Sequence, residues 1–148
     1  ISGPTPAFRL RHNKEDEARY IAHCVKRWRE DGSELNSIAI IYAHNTQGKR
    51  FHSALQEAGI PSRCLQDAAT KREYDPMADE VVLLSRQSSK GLEFDTVLLC
   101  RVGELADNEE RYAQETRLLY VGMTRARRRL MITSSKLNAY TERLAELA

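Results

Sequence analysis

The chain has 148 residues, 41% hydrophobic and 30% charged, with a formal net charge of +2. That length suits one domain with a real core, the composition is ordinary for a soluble globular protein, and so small a net charge does not by itself announce nucleic-acid binding. No apolar run nears the roughly 18 residues of a membrane span, and no signal-peptide pattern opens the sequence, so the expectation is a cytoplasmic protein with no membrane partner.

Ile1 to Pro6 reads as a flexible lead-in and Ala7 to Arg11 as a short strand. Asn13 caps a helix running to about Glu30, with Glu15, Asp16 and Glu17 in its first turn, where the helix dipole favours acids. Ala18, Ile21, Val25 and Trp28 recur at helical spacing as its buried stripe, and Asp31-Gly32 ends it. Ile38 to Ala43 is a continuous apolar run, the mark of a strand buried on both faces. A helix from about Thr46 to Ala58 turns Phe51, Leu55 and Ala58 inward and closes at Gly59 and Pro61. Ser62 to Leu65 is a weak strand, and Gln66 to Asp79 a polar loop with one helical turn. Glu80 to Ser85 and Thr96 to Cys100 are buried strands, Leu130 to Thr133 is a last one, and Lys136 to Ala148 is a helix with Leu137, Tyr140, Leu144 and Leu147 on one side. Strands alternating with helices imply a single α/β domain, a mostly parallel sheet flanked by helices in three layers.

Cys24, Cys64 and Cys100 include no CxxC and suit buried free thiols in a reducing compartment. His12, His23, His44 and His52 show no metal-ligand spacing, so no metal site made by this chain alone is expected. Charge is uneven: Arg125, Arg127, Arg128 and Arg129 form a basic cluster, and Asp107, Glu109 and Glu110 an acidic one.

Glu115 to Arg129 has no breaker but Gly122 and reads as a helix. At about 100° per residue, Val121, Leu118, Gly122, Ala126, Leu119 and Met123 share one face. Arg125 and Glu115 fall on that apolar side, which is costly unless each is paired or faces a charge. Ten positions separate them, about 15 Å along a helix, too far to satisfy each other. Arg125 is therefore expected to point from an interface edge at an external anion.

Glu115-Thr-Arg-Leu-Leu-Tyr-Val-Gly-Met-Thr-Arg-Ala resembles motif VI of the UvrD/Rep-like superfamily 1 DNA helicases. Ser88-Ser-Lys-Gly-Leu-Glu-Phe-Asp resembles their motif V, and Ile38-Ala-Ile-Ile-Tyr-Ala-His-Asn their motif IV. Three motifs in order across residues 38 to 126 imply the C-terminal RecA-like domain, called 2A, over residues 7 to 148 without the 2B insertion of larger relatives. The resemblance implies ATP and Mg²⁺ as cofactors, single-stranded or partly duplex DNA as partner, and a setting in DNA repair. It makes Arg125 the arginine finger, a group whose contribution to phosphoryl transfer is typically about 10³ to 10⁵ in rate. It puts Glu93 on the ribose hydroxyls, the Gly91 backbone by the phosphates, Tyr42 on the adenine, and Ser85, Gln87 and Ser88 on DNA. Two departures weaken these contacts. Ala43 stands where relatives carry a nucleotide-binding arginine, and Ser85-Arg86-Gln87 where they read Thr-x-His.

No G-x-x-x-x-G-K-[ST] occurs, nor an acidic Walker B strand end, so the phosphate cradle and Mg²⁺ ligands are expected from an N-terminal RecA-like domain. The chain alone is then expected to be inactive, as one part of an ATP-hydrolysing DNA helicase. The alternative is a non-catalytic DNA- or protein-binding module derived from a helicase domain.

Overall fold

The structure, a computed structural model, describes residues 6–104 and 108–147. In chain order its strands are β1 (Ala7–Leu10), β2 (Ile38–Tyr42), β3 (Ser62–Leu65), β4 (Val81–Ser85), β5 (Phe94–Leu99) and β6 (Ala126–Ser134). Its α-helices are α1 (Lys14–Glu30), α2 (Gly48–Glu57), α3 (Ala68–Arg72), α4 (Glu109–Arg125) and α5 (Ala139–Leu147). The sheet runs β1-β6-β5-β2-β4-β3, with every neighbouring pair parallel.

Side-chain alternation in the central strands decides the layering. Ile38, Ile40 and Tyr42 of β2 enter one apolar core with Val81, Leu83 and Leu98, while Ala39 and Ile41 enter a second with Val82, Leu84, Val97 and Leu99. Strands hidden on both faces need helices on both faces. Helices α1 and α2 supply Ala18, Ile21, Val25, Phe51 and Leu55 to the first core, and α4 and α5 supply Leu118 and Tyr140 to the second. The three-layer α/β arrangement expected from the sequence is what forms.

Local signals account for most boundaries. Asn13 Oδ1 accepts from Asp16 N at 2.8 Å and starts α1. Glu17, in the same first turn, is fully buried and accepts from Arg101 N at 2.8 Å and Thr133 Oγ1 at 2.6 Å, tying α1 to β6 and the loop after β5. Burial pushes its carboxyl above the usual range, partly offset by those two bonds. Asp67 caps α3, the one helical turn in the polar loop.

Three expectations need correction. The helix expected over Glu115 to Arg129 starts at Glu109 and stops at Arg125. Ala126 takes extended angles and pairs with Phe94, and Arg129 pairs with Thr96. Helix propensity favours Ala-Arg-Arg-Arg by only tenths of a kcal/mol per residue, and strand pairing to β5 overrides it. So β6 has nine residues, and three arginines of the basic cluster ride on its exposed start. Arg127 pairs with Asp95 at 3.1 Å, and Arg129 lies 4.7 Å over the Trp28 ring. Met123, expected on the apolar face, is 54% exposed. Finally, the last helix begins at Ala139, because Asn138 Oδ1 accepts from Thr141 N at 2.9 Å as a cap, leaving Leu137 exposed ahead of it. Asp107 of the acidic cluster, the first five residues of the lead-in and the Leu147 side chain lie outside what the structure describes.

Gly48 opens α2 against Tyr42. A Cβ there would sit on the Tyr42 hydroxyl and 2.6 Å from its Cζ. The ring cannot easily retreat, being fully buried and stacked on Phe51 with centroids 6.2 Å apart. Gly48→Ala is therefore expected to lower unfolding free energy by about 1–3 kcal/mol despite alanine's better helix propensity. Urea denaturation reads this directly, and an unchanged midpoint would mean that the ring yields.

Candidate functional site

Strand β4 ends at Ser85 and β5 opens at Phe94, and both strands run the same way. Residues 86–93 must therefore return from one end of the sheet to the other. The first half of that return is a serine turn. Ser89 N donates to Ser85 O at 3.0 Å, Ser88 N to Ser85 Oγ at 3.2 Å, and Ser89 Oγ to Arg86 O at 2.7 Å. The Ser85 and Ser88 hydroxyls lie 3.2 Å apart. Further on, Gly91 has φ +83°, a conformation that favours glycine, and among the described residues no atom lies within 4 Å of where a Cβ would stand. The backbone there faces open space, and Glu93 is exposed beside it.

Arg125 is the last residue of α4. Its Nε donates to Ser89 O at 2.9 Å, and Nη1 reaches Thr124 Oγ1 at 3.3 Å. No carboxylate among the described residues pairs with it. Glu115, the other charge on the apolar side of this helix, is buried and accepts from Gly103 N at 2.7 Å. Phe94 and Ala126 are register neighbours on β5 and β6. Glu93 and Arg125 each precede one of them, so they open the same end of the sheet on strands about 4.8 Å apart.

The serine turn and the outer side of α4 enclose a cleft of about 790 Å³. Arg86, Lys90, Arg117 and Arg125 line it with Gln87 and Tyr120, and among the described residues no acidic one does. Four cations without a counter-charge make a site for a polyanion. Tyr120 adds a ring 69% exposed.

The expected site residues are thus only partly brought together. Gln87 and Arg125 share the cleft, Gly91 and Glu93 lie at the sheet end where Arg125 emerges, and Ser85 and Ser88 sit at the other end of the return segment. Tyr42 stands apart. Its side chain belongs to the first core, on the face opposite α4, with no exposed surface to offer a base. Its hydroxyl has no hydrogen-bond partner among the described residues, and burial pushes the phenol far up. Ala43 is half-buried against the second core.

Arg86, Lys90, Arg117 and Tyr120 were not singled out from the sequence. Thr116, Arg117 and Tyr120 fall on one helical face, and that aromatic beside a cation, outside the core stripe, was the available signal. Among the described residues no three His, Cys, Asp or Glu converge to hold a metal ion, and no helix is long and apolar enough to cross a membrane.

The profile of the UvrD-like helicase C-terminal domain matches residues 1–69 and 65–137. DNA helicase II of Salmonella typhimurium is 37% identical over 63 residues, 43% of this chain and 9% of that protein. The ATP-dependent DNA helicase Rep of Buchnera aphidicola is 41% identical over 61 residues, 37% of this chain and again 9% of the relative. The matched stretches therefore cover less than a tenth of the length of these curated relatives. Among solved structures, the C-terminal domain of a possible DNA helicase from Lactobacillus plantarum superposes with a TM-score of 0.72 at 20% identity, over 96% of this chain and 81% of that one. The DEAD-box protein SrmB of E. coli gives 0.55 at 11% identity, over 91% and 79%. At such identities these two likenesses concern the fold alone.

Proposed function

Given that the chain belongs to the UvrD-like helicase C-terminal domain family and has the RecA-like α/β fold of such domains, we propose that it is the arginine-finger half of an ATP-driven DNA motor. In this reading ATP lies between this domain and a second RecA-like domain that carries the phosphate cradle and the Mg²⁺ ligands. The observation that carries the reading is Arg125, held at Nε, unpaired with any carboxylate among the described residues, and set in a basic cleft.

The residues present fit a nucleoside triphosphate at its phosphate and sugar end. Gly91 offers an open backbone, Glu93 an exposed carboxylate able to accept from two ribose hydroxyls, and Arg125 the Nη side of a guanidinium. ATP supplies a phosphoanhydride bond whose cleavage drives the motor. Arg125 neutralises charge that develops on the transferred phosphoryl oxygens, a role worth most in a site closed to water. Ser85, Ser88 and Gln87 bond DNA phosphates, contacts that fix position and carry no sequence information. Tyr42 is not part of the proposal, since its ring faces the core.

The test is DNA-stimulated ATP hydrolysis by the full-length protein with Arg125→Ala. The reading requires a large fall in turnover with nucleotide binding retained, and a near-normal rate removes it. Ala43 favours a second reading, a binding module without turnover. That reading requires single-stranded DNA to bind equally well with and without ATP.

A further inference from the structure

We propose that Ser89 is a positioning residue that ties the aim of Arg125 to the serine turn, an inference that rests on the arginine-finger reading. Its carbonyl accepts twice, from Leu92 N at 3.0 Å within its own segment and from Arg125 Nε at 2.9 Å. With Nε engaged, the planar guanidinium is fixed in direction and only its Nη atoms remain for an anion.

Ser89 is itself held from upstream. Its side chain is fully buried, its hydroxyl donates to Arg86 O at 2.7 Å, and its N–H donates to Ser85 O at 3.0 Å. Arg86 N in turn donates to Tyr42 O at 2.7 Å, anchoring the start of the turn to the central strand. A short chain of backbone bonds therefore joins the end of β4 to the arginine. By contrast, the hydroxyls of buried Ser85 and half-buried Ser88, assigned above to DNA, meet at 3.2 Å, and Ser85 Oγ also accepts from Ser88 N at 3.2 Å. A phosphate oxygen is the stronger acceptor and takes those hydroxyls from each other. The turn tightens or shifts as it does so, and the Ser89 carbonyl carries the shift to Arg125. Loading DNA on the turn thereby sets the orientation of the finger.

Ser89→Ala in the full-length protein keeps the carbonyl, fits the buried site without overpacking, and removes the bond that fixes the turn to Arg86 O. The DNA-stimulated kcat is expected to fall about tenfold, with KM for ATP and affinity for single-stranded DNA within about twofold of the parent. In an Arg125→Ala background the same substitution is expected to cost less than about twofold, because the group it positions is gone. A kcat for Ser89→Ala within twofold of the parent overturns the proposal. So does a tenfold loss that persists in the Arg125→Ala background, since that marks a general structural defect. If Arg125→Ala itself turns over normally, this inference and the finger reading fall together. If Arg125→Ala is slow and Ser89→Ala is not, only this inference falls.

Discussion

Replacing Arg125 by alanine in the full-length protein is expected to lower DNA-stimulated ATP turnover by at least about a hundredfold, with KM for ATP changed by no more than a few-fold. Arginine fingers typically contribute about 10³ to 10⁵, and the lower bound allows for the cations that remain around the cleft. Nucleotide affinity should survive, because the finger interacts most strongly with charge that appears only as the phosphoryl group transfers. Arg125→Lys is expected to restore little. A lysine keeps the charge but has neither the Nε bond to Ser89 O nor a planar fork to hold in direction. Steady-state kinetics with saturating single-stranded DNA reads both variants, and a rate within threefold of the parent for Arg125→Ala would discard the assignment.

A second large effect concerns Tyr42, which the family resemblance sets on the adenine and the structure sets in the core. Tyr42→Ala should cost about 3–5 kcal/mol of stability, the usual loss for a large aromatic side chain from a packed interior. On a chain of this size that is a drop of roughly 10 °C in melting temperature. Tyr42→Phe behaves oppositely. The hydroxyl it removes is buried without a partner among the described residues, so stability should hold or rise by up to about 1 kcal/mol. Tyr42→Leu separates packing from nucleotide binding, since it fills much of the space without offering a ring. Its KM for ATP should stay within about twofold of the parent. A folded Tyr42→Leu protein with KM raised tenfold or more would return the ring to the nucleotide.

The central strands were legible in the sequence because Ile38 to Tyr42 and Val81 to Leu84 are short, apolar at consecutive positions and rich in Ile and Val, a pattern that suits a doubly covered strand. Helix α1 was legible at its cap and along its stripe, both local signals. The change from helix to strand at Ala126 was not, because nothing local distinguishes Arg125 from the three arginines that follow. Pairing with residues some thirty positions earlier decides it. Of the site, the anomaly at Arg125 could be read directly, while Gly91 was placed only by the family resemblance and its φ of +83° came from the structure. The Ser89 carbonyl could not be read, since a backbone acceptor has no side-chain signature. The burial of Tyr42 follows from its parity on β2 only once α1 and α2 are known to cover that face, which the sequence alone does not show. A strand-end tyrosine with an exposed ring would have had the same sequence.

The most direct test of the finger assignment is the affinity of the full-length protein for ADP with aluminium fluoride, which mimics the transferring phosphoryl group, against ADP alone. The parent should bind the mimic at least about a hundredfold more tightly, as analogues of a transition state do. Arg125→Ala should lose most of that gain while its ADP affinity stays within about threefold of the parent. A variant that keeps the full preference for the mimic would contradict the account, and the finger would have to be sought on another domain.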